Sequence, residues 1–142
     1  MFLVGEFMQI FATYIIMFLV FVVVEALMLT FFMAPFFSKH IGHLMRPQIN
    51  LYVTLLYYLL YVAGVFYFCY FSGFKTGSFP QTVLSGFFLG LLCYGVYDIT
   101  NFLVLKDWKI QMTLIDMFWG GVVTSLISVV GFQAFNYFAP KI

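Results

Sequence analysis

Four apolar stretches, each long enough to cross a bilayer, constrain this chain more than any other feature of its sequence. They run over about 7–36, 50–71, 81–105 and 110–138. A hydrocarbon core of roughly 30 Å is crossed by about 20 helical residues. Within lipid a backbone must satisfy its own hydrogen bonds, so such stretches form helices. A transmembrane barrel needs alternating polarity, which these stretches lack. The expected fold is an all-α integral membrane protein, a four-helix antiparallel transmembrane bundle forming one domain over residues 1–142.

Composition closes off the alternatives. Of the 142 residues 65% are hydrophobic and 8% are charged, too few to coat a soluble globule. A soluble enzyme and a disordered segment are both excluded. A net charge of +1 gives no field to attract nucleic acid. No Lys or Arg precedes Lys39, so the first span is expected to be retained rather than cleaved as a signal peptide.

The breaks between spans carry the turn chemistry. Pro35 and Pro47 bracket a connector, 37–49, that mixes cations with apolar residues and suits the headgroup layer. Ser72 to Pro80 is rich in Gly, Ser and Thr and reads as a loop. Lys106-Asp107-Trp108-Lys109 is so short that the last two helices must be antiparallel neighbours. Lys39, Arg46, Lys106 and Lys109 fall at one end of the bundle, Lys75 and Lys141 at the other. The excess of basic residues places the first end in the cytoplasm and both chain termini outside, in a bacterial or organellar inner membrane.

Three acids lie inside these apolar stretches: Glu25, Asp98 and Asp116. An ionised carboxylate at mid-bilayer costs about 2.5–3.5 kcal/mol on insertion scales, so all three are expected to face the bundle interior. A helix rises about 1.5 Å per residue. That puts Asp98 about 12 Å from Lys106, Asp116 about 10 Å from Lys109 and Glu25 about 15 Å from Pro35. Tyr57, Tyr58 and Tyr61 fall at the same level of the second span. Tyr94, Asp98 and Asn101 share one helix face, and Thr113, Asp116 and Gly120 share another. With Trp119 these residues form a candidate buried polar site. Two close carboxylates cannot both ionise cheaply, so such a site would share a proton or bind a ligand. Alternatively, Tyr, Asn, Thr and Trp donors bind the acids only to fix helix register.

A second pattern is made of small residues. Gly86 and Gly90 form a GxxxG spacing, and Gly120, Thr124 and Ser128 repeat every four residues. Small side chains let helix backbones approach closely, within one chain or across a dimer seam. His40 and His43 have no further metal ligands nearby, and no metal or cofactor is implied. Cys69 and Cys93 differ in height by about 15 Å, beyond disulfide reach, and read as small packing residues. The two histidines are too few for a lipid-oxidising histidine box. Asp116 follows Thr113-Leu114-Ile115 and not the Gly-x-Gly that precedes the second aspartate of intramembrane aspartyl proteases. No residue is nominated as catalytic.

Tyr97-Asp98-Ile99-Thr100-Asn101, followed by Thr113-Leu114-Ile115-Asp116-Met117-Phe118-Trp119-Gly120, resembles the small bacterial membrane family catalogued as domain of unknown function 2177. That family carries Tyr-Asp-Leu-Thr-Asn and then Thr-x-x-Asp-x-x-Trp-Gly. It pairs an acid in its first helix with a nearby Trp; Glu25 supplies the acid here. The resemblance implies four spans and singles out Asp98, Asn101, Asp116 and Trp119. It implies no activity. The function expected from these observations is a proton-coupled transporter or ligand-binding membrane protein, assembled as a homodimer because four helices barely enclose a polar path. The alternative is a structural accessory subunit of a larger membrane assembly, and a lipid-modifying enzyme is the least favoured. Partners are membrane lipids and further protein chains.

Overall fold

The computed structural model describes residues 2–139; Lys141, used above to weigh orientation, lies outside them. Among the described residues all regular structure is helical. Helix α1 covers Phe2–Met28, α2 Ala34–Ile41, α3 Leu51–Cys69, α4 Phe79–Val104 and α5 Ile110–Tyr137. Counted as continuous helical runs there are four apolar spans, Val4–Leu44, Leu51–Phe74, Phe79–Val104 and Ile110–Tyr137.

Two of the expected breaks are instead helical. Pro35 was expected to close the first span, yet the helix passes through it to Ile41. The chain admits it with a π turn at Leu29–Met33, in which the Ala34 N–H reaches the Leu29 carbonyl. A proline removes one N–H and its ring crowds the carbonyl four residues back; one extra residue in the preceding turn relieves both. The interfacial connector thus shrinks from 37–49 to the residues after Leu44. The loop expected to begin at Ser72 likewise starts later. A second π turn, Tyr70–Phe74, extends that span, and the chain reverses at Gly77, whose φ of +68° only glycine adopts without strain.

The pair α4 and α5 forms the most extensive interface, with α1 against α5 next and α3 touching α4 sparingly. The small-residue pattern explains the first of these. A Cβ on Gly90 would collide with the Gly120 carbonyl and lie 2.6 Å from Thr124 Oγ1. On Gly86 it would meet the Ser128 side chain and Ser125 Cα. The GxxxG residues therefore close the α4–α5 contact within one chain. Lipid supplies no hydrophobic drive between helices, so this close packing and interhelical hydrogen bonds hold the bundle. Ser125 donates to the Val83 carbonyl at 3.1 Å, Gln9 to the Phe135 carbonyl at 2.7 Å and Tyr14 to the Leu59 carbonyl at 2.8 Å.

The core runs along the axis from Phe74 and Phe132 through Met17, Val65 and Ile127 to Phe21 and Val62. A separate cluster seals the end that bears the 45–50 and 105–109 connectors. There Trp108, Met112 and Ile41 are buried, and Phe37 meets Trp108 edge-on at 5.3 Å. His43 Nε2 and Asp107 Oδ2 lie 3.0 Å apart above it. This arrangement packs the end of α2 against Trp108 and the start of α5 and brings the two connectors together.

Candidate functional site

Above that cap the helices converge on three carboxyl groups. Asp98 lies six residues before the end of α4 and Asp116 six residues after the start of α5. Both are about 9 Å inside the same end of the bundle. Because α4 and α5 are antiparallel and in glycine contact, the two side chains face each other within hydrogen-bonding reach. Asp98 is 0% exposed, and neither of its oxygens meets an N–H or O–H donor among the described residues. The group it does meet, the Asp116 carboxyl, donates only while it carries a proton. One proton between the two carboxyls satisfies both; two bare carboxylates repel.

Glu25 sits about one turn deeper, and the donors expected around the aspartates go to it instead. Tyr94 donates its O–H to Glu25 Oε1 at 2.6 Å, and Trp119 donates its indole N–H to the same oxygen at 3.1 Å. Glu25 is 3% exposed and so is held as a buried acceptor between three helices. Gly120 makes this possible, since a Cβ there would enter the Tyr94 side chain. The single polar layer expected from helix rise is therefore two tiers: Glu25 with Tyr94 and Trp119, and below it the aspartate pair.

The remaining candidates divide. Thr113 touches Asp98 only through the backbone, its hydroxyl donating to the Asp98 carbonyl at 3.4 Å while accepting from Trp108 Nε1 at 3.0 Å. It pins the start of α5 to α4 and does not hold the carboxyl. Asn101 is half-buried one turn nearer the connector, beside Tyr97. Tyr61 donates to Thr124 Oγ1 at 2.6 Å, because the Thr124 hydrogen is already given to the Gly120 carbonyl, also at 2.6 Å. By the same reasoning Cys69 donates to Ser128 at 3.1 Å, since Ser128 donates to the Thr124 carbonyl. Tyr57 departs most from expectation. It is 61% exposed and belongs to the rim of the site, because α3 stands away from α4 and turns that face outward.

The gap between α3 and α4 is a cavity of about 300 Å³. Its α3 wall is Tyr57, Tyr58 and Tyr61, its α4 wall Cys93, Tyr94 and Tyr97, and its floor Phe21 and Asp116. Tyr57, Tyr97 and Cys93 are exposed, so the mouth opens sideways between the two helices at the level of the bilayer. Phe21, Cys93 and Tyr97 were missed as site residues by sequence reasoning, although each carries a spacing signal: Tyr97 lies about one turn after Tyr94. Phe21 lies four residues before Glu25, and Cys93 four before Tyr97. Cys93 was expected to be a packing residue; it faces the opening instead. Among the described residues no group of three or more His, Cys, Asp or Glu is placed to hold a metal ion.

Removing the Tyr61 hydroxyl tests the α3–α5 tie. Tyr61→Phe is expected to lower stability by about 1 kcal/mol, the worth of one interhelical hydrogen bond, because Thr124 keeps its bond to Gly120. Thermal unfolding of the detergent-solubilised protein measures it.

Four apolar spans around buried carboxyls define a small polytopic integral membrane protein. The chain belongs to the family described as predicted membrane protein (DUF2177), whose model matches residues 10–133. No curated protein and no solved structure matches it.

Proposed function

We propose that this protein binds a small ligand in the crevice between α3 and α4 and couples its binding to the proton shared by Asp98 and Asp116. One observation supports this reading above the others: Asp116 both lines the cavity and faces the sealed Asp98. A carboxyl pair kept only for register needs no opening, and Glu25 with its two donors already supplies such a lock. Intramembrane carboxyls that reach a cavity are the groups through which membrane proteins exchange protons with a bound species. Transport follows if the mouth alternates between the two sides of the bilayer. We further place the 45–50 and 105–109 connectors on the cytoplasmic side, since Lys39, Arg46, Lys106 and Lys109 cluster there against Lys75 at the other described end.

A hydrophobic carbodiimide tests the proton and its accessibility together, because it modifies carboxyls only in their protonated form. Asp116 is expected to be modified through the cavity, with modification falling as pH rises and the shared proton leaves. Asp98 and Glu25, sealed behind it, are expected to stay unmodified. Asp116→Asn is expected to remove the labelling while the protein still elutes as a single species, since the amide keeps the shape of the carboxyl. Peptide mass spectrometry after labelling decides it. An Asp116 that is inert at every pH would favour the accessory-subunit reading, in which the acids serve packing alone.

A further inference from the structure

The cavity also specifies the chemistry of what it takes, given the ligand-binding reading above on which this step rests. We infer that its ligand is a small organic ammonium ion carrying apolar substituents, drawn in through the lateral mouth.

Four features carry this. The walls are aromatic on both sides, with Tyr57, Tyr58 and Tyr61 facing Tyr94 and Tyr97 across the gap and Phe21 beneath. Aromatic faces carry negative potential and attract ammonium groups most strongly where water is scarce. The one ionisable carboxyl on the lining is Asp116, with Asp98 and Glu25 behind it, so the site has an anionic floor. No Lys, Arg or His lines the cavity, and the described cations sit on the connectors or α2, so an anion would meet only repulsion. Finally, a neutral apolar molecule gains nothing from three carboxyls whose burial costs several kcal/mol in lipid. At about 300 Å³ the space lies at the small end of ligand sites.

A cation beside the aspartate pair favours loss of the proton the pair shares. The titratable groups facing this point are Glu25 on α1, Tyr57, Tyr58 and Tyr61 on α3, Cys93, Tyr94, Tyr97 and Asp98 on α4, and Asp116 on α5. Glu25 already accepts from two donors, so the arriving cation is neutralised by the aspartate pair. With one proton the pair already carries one negative charge; a cation beside it stabilises the doubly ionised form, so the remaining proton passes to solvent: one ammonium ion enters, one proton leaves, the net charge of the site is unchanged, and no bond other than the O–H is broken. The same ammonium chemistry occurs in free amines and in choline or ethanolamine lipid headgroups.

Benzyltrimethylammonium and its uncharged isostere neopentylbenzene are suitable probes, with the purified full chain in an uncharged maltoside detergent. Cys93 at the mouth is a native reporter, because Cys69 is buried. The cation is expected to slow maleimide labelling of Cys93 at least tenfold and to release protons into weak buffer. Neopentylbenzene is expected to do neither. A short-chain phosphocholine that outcompetes the cation assigns the site to a lipid headgroup; one that fails to compete assigns it to a free amine, and both agree with the inference. Asp116→Asn is expected to lose the protection by the cation, and Tyr97→Leu to weaken it with the carboxyls intact. Equal protection by the isostere overturns the inference. So does absence of protection by the cation in the unmodified protein. In either case pH-dependent carbodiimide labelling of Asp116 would still stand, which separates failure of the ligand class from failure of the proton-linked site.

Discussion

Gly90→Leu is expected to prevent the bundle from assembling. The added side chain would be directed at the Gly120 carbonyl and at Thr124 Oγ1, which lies 2.6 Å from where even a Cβ would stand. Neither can move aside: the first is main chain, and the second is fixed by its bonds to Gly120 and Tyr61. Overpacking a close interface costs about 1–3 kcal/mol when flexible side chains can yield. Here a backbone must yield, so α4 and α5 have to separate. That separation would also part Asp98 from Asp116. The expected result is loss of the monodisperse peak in size-exclusion chromatography, with Gly90→Ala intermediate. Recovery of Gly90→Leu protein with unchanged melting would show that the α4–α5 contact is looser than described.

Replacing Glu25 should produce the second large effect. Glu25→Leu takes one acceptor away from two half-buried donors, the Tyr94 hydroxyl and the Trp119 indole. Each orphaned donor costs about 1–3 kcal/mol, so the loss is about 2 kcal/mol or more. Glu25→Gln keeps a carbonyl acceptor in place and is expected to restore most of it. Trp119 reports the change directly. With Trp108→Phe as background, its emission should shift in Glu25→Leu and hold in Glu25→Gln. An equal shift in both variants would show that charge on Glu25, rather than its acceptor geometry, holds the upper tier.

The helix-spacing rules reached far in α4 and α5 and less far elsewhere. Tyr94, Asp98 and Asp116 were legible as inward positions because a period of 3.6 on two neighbouring antiparallel helices fixes which residues meet. The assignment of donors was not legible. Tyr94 and Trp119 lie within one turn of both tiers, and only the placement of α1 against α4 and α5 decides that their hydrogens reach Glu25. Tyr57 misled for a related reason. It shares its level with Tyr61, but its direction depends on how far α3 stands from α4. Pro35 and Ser72 looked like breaks because local propensity marks them so; π turns carried the helix past both.

By itself the sequence determined the number of spans, the tight α4–α5 hairpin and the depth of its acids, all of which follow from hydropathy, connector length and helix rise along one chain. The tertiary structure alone decided that Glu25 is satisfied while Asp98 has only Asp116, and that an aromatic crevice opens beside that pair. These depend on the distances and rotations between helices, which packing sets and which no single helix encodes.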